Sequence, residues 1–132
     1  MKKIILILFI LTIIFTGCDN MNKAELDIED TIYKKISPEE AKKIIDSEDI
    51  TILDVRTPEE YNSGHIENAV LLPVTEIPNK AEEVLSDKNA KILVYCRSGN
   101  RSATATKDLI NIGYTNVYDF GGINSWPYEI VK

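Results

Sequence analysis

The sequence predicts a single α/β domain built on a mostly parallel sheet of five strands. Five short runs rich in β-branched and aliphatic residues alternate with segments of helical periodicity, the pattern of βαβ units. Helix-start motifs and a helix-ending glycine lie between these runs. The length of 132 residues allows one domain of ordinary size and leaves little room for a second core.

The first half of the predicted domain, which begins at residue 32, contains two strands and two helices. A short strand at 33–36 leads into Ser37-Pro38-Glu39-Glu40, a capping box with proline at the first helical position. A buried strand follows at 50–55. Thr57-Pro58-Glu59-Glu60 repeats the capping-box pattern and predicts a short helix that ends at Gly64.

The second half is predicted to contain three strands and two helices. Gly113 has the position of a left-handed helix terminator, and Gly121 and Gly122 are expected to adopt positive φ angles. Because sites in parallel sheets form at the carboxyl ends of strands, Asp54, Cys96 and Gly121 are candidate site residues. The predicted strands lie at 69–72, 92–95 and 117–120, and the predicted helices lie near 81–85 and at 101–112.

A signal peptide is predicted at residues 1–17. Met1, Lys2 and Lys3 form a positive start, and the apolar run Ile4–Thr16 follows. A helix of that length spans about 20 Å, which is short of the ~30 Å hydrocarbon layer. The run is therefore typical of a signal-peptide core rather than of a permanent membrane span.

Phe15-Thr16-Gly17-Cys18 places small residues before a cysteine at the end of the apolar run. This segment resembles the lipobox of bacterial lipoproteins, which implies that Cys18 is lipidated and becomes the new N-terminus. Two acyl chains suffice for stable anchoring. We therefore expect the domain to be anchored to the bacterial cell membrane, and the signal peptide places it on the extracytoplasmic side. Residues 18–31 are predicted to form an acidic tether. An uncleaved anchor and an ordinary secretory signal are the alternatives.

Charge and composition exclude several classes of function. The formal net charge is −6 and no basic block is present, which argues against nucleic acid as the main partner. One histidine and two cysteines are too few for an all-protein zinc site or a disulfide framework. If Cys18 is lipidated, Cys96 is the only free thiol. We therefore expect neither a bound metal nor a cofactor.

The chemistry is predicted to reside in the loop after the fourth strand. A strand, a tight loop and a helix N-terminus form an anion cradle, because backbone N–H groups and the helix dipole converge there. This environment favours the nucleophilic thiolate of Cys96, the predicted catalytic residue. Gly99 permits the turn, and two arginines add positive charge. The predicted substrate-binding residues are Arg97, Ser98, Gly99, Asn100, Arg101 and Ser102.

The alternative for Cys96 is a buried structural cysteine. A core cysteine has no need for a loop with a glycine and two arginines, so we favour the catalytic interpretation. That interpretation requires the Cys96 sulfur to face the loop and to be within reach of small anions. Asp54 and Arg56 are predicted supporting residues. Asp54 either orients an arginine of the loop or forms a structural ion pair or turn hydrogen bond.

Three motifs occur in order along the predicted domain. The first comprises residues 53–56 with 58–61, 64–66 and 69–73, the second is the segment 94–102, and the third is Gly121-Gly122 with Trp126. Together they resemble the signatures of the rhodanese-like family of sulfurtransferases, and the resemblance covers nearly all of residues 32–132. It implies a five-stranded sheet flanked by helices on both faces and a persulfide carried on Cys96.

The resemblance also implies a substrate class. Sulfane sulfur would move from a small anionic donor such as thiosulfate to a thiol, a thioredoxin-like protein or cyanide, and we expect a monomer. Arg97 and Arg101 can bind the departing sulfite, while the amides of 97–101 can bind the persulfide.

The loop length bears on the alternatives to sulfur transfer. Four residues separate Cys96 from Arg101, against five in cysteine phosphatases and arsenate-handling relatives, and the shorter loop favours sulfur over phosphate. Two alternatives stay open. One is a sulfide-carrying or sulfur-sensing module that loads without turnover, and the other is a cysteine-dependent phosphatase or arsenate reductase.

Overall fold

The computed structural model describes residues 33–132, and the strands of this part form one five-stranded sheet. The strands are β1 (Lys34–Lys35), β2 (Thr51–Asp54), β3 (Val70–Leu71), β4 (Ile92–Cys96) and β5 (Val117–Gly122). They lie in the order β1-β5-β4-β2-β3, and all four strand pairs are parallel. The predicted α/β fold is therefore confirmed. The signal peptide, Cys18 and the acidic tether lie outside the described residues.

The α-helices of the described residues are α1 (Pro38–Ser47), α2 (Pro58–Ser63), α3 (Ile77–Val84) and α4 (Asn100–Asn111). Helix α1 begins with the predicted capping box. The Ser37 hydroxyl accepts the Glu40 N–H at 3.1 Å, and the Glu40 carboxylate accepts the Ser37 N–H at 2.8 Å. Two N–H groups that the helix cannot satisfy itself are thereby satisfied. None of the four helices within residues 33–132 combines the length and apolar character that spanning a bilayer requires.

The second predicted capping box is only half formed. At the start of α2 the Thr57 hydroxyl accepts the Glu60 N–H at 3.3 Å. The Glu60 carboxylate does not return to the Thr57 N–H; it binds Arg101, 41 residues away. The prediction of a complete box was wrong, because an arginine from another element offers this carboxylate a charged partner.

Helix α4 is terminated by Gly113, as predicted. Gly113 has a φ angle of +105°, which L side chains rarely adopt. Its N–H donates to the Ile110 carbonyl at 3.1 Å, and the Tyr114 N–H donates to the Leu109 carbonyl at 3.0 Å. These two bonds form a Schellman motif, and the buried Tyr114 and Leu109 belong to the same core cluster.

Helices cover both faces of the sheet, as predicted. Alternate residues of β4 point to opposite faces, so Ile92 and Val94 belong to one apolar cluster and Leu93 and Tyr95 to the other. Helices α3 and α4 pack on the first face through Ile77, Ala81, Ala105 and Leu109. Helices α1 and α2 pack on the second face through Ala41, Ile44, Ile45 and Tyr61.

The topology opens a cleft at the carboxyl ends of β2 and β4. These strands are neighbours, and the helices that follow them, α2 and α4, pack on opposite faces of the sheet. The two connections therefore diverge from each other at this edge. Ligands of parallel sheets bind at such a switch point. Asp54 and Cys96, which end β2 and β4, both lie at this edge.

Candidate active site

The sulfur of Cys96 faces the loop that follows β4. Its Sγ accepts the Gly99 N–H at 3.0 Å. The residue is fully buried, with 0% of its surface exposed. The first requirement of the catalytic interpretation, a sulfur that faces the loop, is met. The second, reach by small anions, is not met in this conformation, because Cys96 is wholly buried and belongs to the apolar cluster on the α3–α4 face.

Gly99 sets the shape of the loop. Its φ angle of +108° lies in the region that favours glycine, and it turns the backbone so that its own N–H points at the sulfur. Gly99 is also the N-cap of α4, where it makes no side-chain cap bond. The first amides of α4 are thus left without a side-chain acceptor, a condition that suits anion binding. The buried Ser102 donates to the Gly99 carbonyl at 3.0 Å and fixes the turn.

Gly122 lies against the backbone of the loop. A Cβ atom at this position would be 2.1 Å from the Arg97 carbonyl oxygen and 2.6 Å from the Ser98 nitrogen. The expectation that both Gly121 and Gly122 have positive φ angles is half wrong. Gly121 has a φ of +90°, whereas Gly122 has a φ of −121°. Gly122 is required instead because its backbone lies too close to that of the loop to leave room for a side chain. The Asn124 N–H donates to the Arg97 carbonyl at 3.1 Å and holds the loop to the chain beyond β5.

Arg101 is held by Glu60, a residue that the sequence analysis did not assign to the site. Two hydrogen bonds of 2.8 and 2.9 Å join the two terminal guanidinium nitrogens to the two carboxylate oxygens. The bonds to Arg101 lower the pKa of the Glu60 carboxyl below its usual value, so it is ionised at neutral pH. No signal in the sequence identified this pair, because Glu60 also fitted a local helix cap.

Asp54 forms the structural ion pair, the second of its two predicted alternatives, and not a contact with a loop arginine. Its carboxylate, 0% exposed, binds the Arg56 guanidinium at 2.6 Å. It also accepts the Tyr95 hydroxyl at 2.6 Å, and the Tyr95 oxygen accepts the Ile66 N–H at 3.1 Å. Arg56 donates further to the Gly64 carbonyl at 2.8 Å. This network fixes the ends of β2 and β4 to the turn after α2.

A cleft of about 320 Å³ lies beside the Cys96 loop. Arg97 is exposed there, while the charge of Arg56 is shared with Asp54. Ser98 and Asn100 are also exposed on the loop. The arrangement combines an amide directed at the sulfur with cationic side chains at the mouth of a small cleft, which suits an anionic reactant. The cleft is lined by Arg56, Glu60, Ser63, Arg97, Ile123 and Asn124.

Trp126 packs against the sheet and does not line this cleft. Its ring centroid is 5.5 Å from that of Phe120, and it joins the core cluster on the α1 face. Within residues 33–132 no three histidine, cysteine or acidic side chains converge in a way that could hold a metal ion.

Comparison with known proteins identifies the family. A family model described as Rhodanese-like domain matches residues 37–128. The thiosulfate sulfurtransferase PspE of Escherichia coli is 37% identical over 80 residues, which cover 61% of this chain and 77% of that protein. The thiosulfate sulfurtransferase GlpE of Coxiella burnetii is 35% identical over 96 residues, covering 72% of this chain and 88% of that protein.

A solved structure has the same fold. The structure described as rhodanese with anions from E. coli matches with a TM-score of 0.60 and 33% identity, covering 64% of this chain and 99% of that chain. The resemblance in the three sequence motifs is thus confirmed over most of the described residues. The chain belongs to the rhodanese-like domain family.

Proposed function

We propose that this protein is a rhodanese-type sulfurtransferase that carries sulfane sulfur on Cys96. The observation that carries the proposal is the hydrogen bond from the Gly99 amide to the Cys96 sulfur, at the uncapped N-terminus of α4. An N–H donor and a helix N-terminus stabilise a thiolate, and afterwards the terminal sulfur of a persulfide. Relatives named thiosulfate sulfurtransferases support the same reaction class.

The first half-reaction takes sulfur from a small anionic donor such as thiosulfate. The Cys96 thiolate attacks the sulfane sulfur and forms an S–S bond. The bond between that sulfur and the sulfite group breaks, and its electron pair leaves with sulfite. The charge that is created on the departing sulfite is stabilised by the exposed Arg97 at the mouth of the cleft. No proton transfer is needed, and the product is a Cys96 persulfide anion.

In the second half-reaction a nucleophile attacks the terminal sulfur of the persulfide. Cyanide would give thiocyanate, and a thiolate of a small thiol or a thioredoxin-like protein would give a new persulfide. The S–S bond to Cys96 breaks, and its electron pair returns to Sγ as thiolate. The Gly99 amide, which is directed at the sulfur, stabilises negative charge there in both halves of the cycle.

Burial of Cys96 adds a step to this cycle. Because Cys96 is fully buried in this conformation, a donor reaches its sulfur only after groups around it have moved. The exposed Arg97, Ser98 and Asn100 are the loop residues whose side chains are free to move without breaking core packing. Rotamer changes of exposed side chains take picoseconds to nanoseconds and loop motions take nanoseconds to microseconds, so this opening is fast compared with ordinary turnover.

The test is sulfur transfer by the full chain in detergent, with thiosulfate as donor and cyanide as acceptor. Cys96→Ser should abolish thiocyanate formation, because serine lacks the thiolate nucleophile. Cys18→Ala is the matched control and should keep the activity, since it removes the other cysteine. Most of the activity persisting in Cys96→Ser would refute the mechanism. Stoichiometric loading without turnover would instead identify a carrier or sensor module.

We also propose a location. Cys18, which lies outside the described residues, would be lipidated, and residues 18–31 would tether the domain to the extracytoplasmic face of the bacterial cell membrane. The domain would act as a monomer on small anionic donors and would not bind nucleic acid. The resemblance of Phe15-Thr16-Gly17-Cys18 to a lipobox supports the anchor, and the acidic composition of the chain supports the last point.

A further inference from the structure

The chain contains two copies of one helix-start motif whose glutamates behave differently. Ser37-Pro38-Glu39-Glu40 starts α1, and Thr57-Pro58-Glu59-Glu60 starts α2. The Glu40 carboxylate accepts the Ser37 N–H at 2.8 Å, which completes its capping box. The Glu60 carboxylate leaves the equivalent position and binds Arg101 with both oxygens. The first copy shows what this motif does when nothing competes for the carboxylate.

Competition from Arg101 explains the difference. A cap bond to a backbone N–H three residues away is local and requires little ordering of the chain. The cap bond is one hydrogen bond with a charge on the carboxylate only, whereas the pair with Arg101 makes two bonds in which donor and acceptor are both charged. Both side chains are partly buried, 26% exposed for Glu60 and 33% for Arg101, so water screens the pair less than a surface pair. Glu60 therefore joins α2 to the first turn of α4, beside the Cys96 loop.

The pair also sets the charge of the cleft. The Glu60 carboxylate lines the cleft together with Arg56 and Arg97. Arg56 is neutralised by Asp54, and Arg101 is neutralised by Glu60. Arg97 makes no ion pair within residues 33–132, so it supplies the unbalanced positive charge at the mouth of the cleft. Loss of Glu60 would raise the net charge beside the loop by one unit and free the guanidinium of Arg101.

We infer that Glu60 is a positioning residue for sulfur transfer, which fixes Arg101 beside the Cys96 loop and weakens the attraction of the cleft for dianionic donors. This inference rests on the proposed function at Cys96. With Glu60 in place, the site therefore favours a dianion over a donor of lower charge less strongly than it would without this carboxylate. Ionisation of Glu60 at neutral pH, where Arg101 keeps the pKa of its carboxyl low, agrees with this role.

The size of the effect follows from the dimensions of the cleft. A cleft of about 320 Å³ is about 7 Å across, which is the scale of the distance from Glu60 to a bound donor. One unit charge acting on a dianion at about 7 Å in water changes affinity roughly sevenfold, and physiological salt reduces this to about twofold. Glu60→Gln should therefore lower the KM for thiosulfate about threefold to sevenfold at low ionic strength. The change should shrink as salt is added.

The experiment compares three variants of the full chain in detergent by steady-state thiosulfate-to-cyanide transfer. Glu60→Gln should lower KM because it removes a negative charge from the cleft. It should also lower kcat, because Arg101 loses its fixed orientation. Glu60→Asp keeps the charge but is one methylene too short for the bidentate bond, so kcat should fall while KM does not. Glu40→Gln, the matched control, should leave KM and kcat unchanged, since Glu40 caps a helix outside the site. If Glu60 had a purely structural role, both of its variants would be less stable, but KM and kcat would not respond differently to the two substitutions.

The outcomes separate this inference from the proposed function. If Cys96→Ser keeps its activity, the proposed function fails, whatever the Glu60 variants do. If Cys96→Ser is inactive and Glu60→Gln has the KM and kcat of Glu40→Gln, only the positioning role is overturned. If Glu60→Gln does not fold, Glu60→Asp decides, and a kcat equal to that of the unaltered protein overturns the inference. A KM for thiosulfate that falls at low salt, together with a lower kcat, supports it.

Discussion

Replacement of Gly122 by alanine should displace the Cys96 loop while the rest of the domain stays folded. The new Cβ would lie 2.1 Å from the Arg97 carbonyl oxygen and 2.5 Å from its carbonyl carbon. Real Cβ atoms are essentially never closer than 3.0 Å to such neighbours, so the loop has to move by about 1 Å. A misplacement of about 1 Å in catalytic groups costs roughly 100-fold in rate. We expect Gly122→Ala to lose sulfur transfer by a factor of that order.

The stability cost of the same change is moderate. The φ angle of Gly122 is −121°, which alanine adopts without strain, so the clash is the only source of destabilisation. Forcing one methyl group into a packed site costs about 1–3 kcal/mol, against a total of ~5–15 kcal/mol for a domain of this size. The variant should therefore remain folded at 25 °C, and its activity can be measured on native protein.

Gly113→Ala is the matched control for this prediction. Gly113 has a φ of +105° at the end of α4, and the nearest atoms to an added Cβ belong to the Lys88 side chain, at 3.5 Å. Strain there costs about 1–3 kcal/mol of stability without touching the loop. Urea unfolding should show comparable losses for both variants, but only Gly122→Ala should lose thiosulfate-to-cyanide transfer. A folded Gly122→Ala with more than half of the original turnover would refute the reasoning.

Two further predictions concern the buried network and the anchor. Tyr95→Phe removes the hydroxyl that serves both Asp54 and the Ile66 N–H, so urea unfolding should show a loss of about 1–3 kcal/mol; an unchanged midpoint would contradict this. Burial and the Asp54 hydrogen bond raise the pKa of Tyr95 above its usual value, so its contribution is complete below about pH 10 and is lost as the pH rises further. Tyr95→Phe should accordingly flatten the alkaline fall in stability. Cys18→Ala should release the protein from the membrane fraction, and unchanged membrane retention would indicate an uncleaved anchor.

Local patterns predicted the elements of the fold well. Strand β4 was predicted at 92–95 and is observed at Ile92–Cys96, and the glycine terminator of α4 was found where expected. The capping box at Ser37 was also confirmed. In each case the groups involved lie within a few residues of one another in the chain. Hydrophobic period, cap chemistry and glycine position are therefore sufficient evidence for them.

The interactions that shape the site could not be predicted in this way. Glu60 meets Arg101 across 41 residues, and Tyr95 meets Asp54 across the same separation. The role of Gly122 depends on a register shift between β4 and β5, which brings Cys96 opposite Gly122 and the loop onto the strand end. These contacts arise from the order of strands in the sheet. A single sequence does not specify that order, and the family resemblance implied only the number of strands and the flanking helices.

The burial of Cys96 is a further point at which sequence reasoning fell short. The motif indicated the environment of the sulfur, and its bond to Gly99 agrees with that expectation. Exposure depends on how the side chains of the loop fold over the sulfur, which no local pattern specifies. The covered sulfur also makes a structural cysteine and a catalytic one look alike by burial. The reactivity of the thiol, and not its exposure, distinguishes the two.

The most direct test of sulfur transport on Cys96 is mass spectrometry of the full chain after treatment with thiosulfate. We predict an increase of about 32 Da on the peptide that contains Cys96, as expected for a persulfide, and its loss on addition of cyanide. The added mass on another residue, or transfer activity without any added mass, would contradict the account.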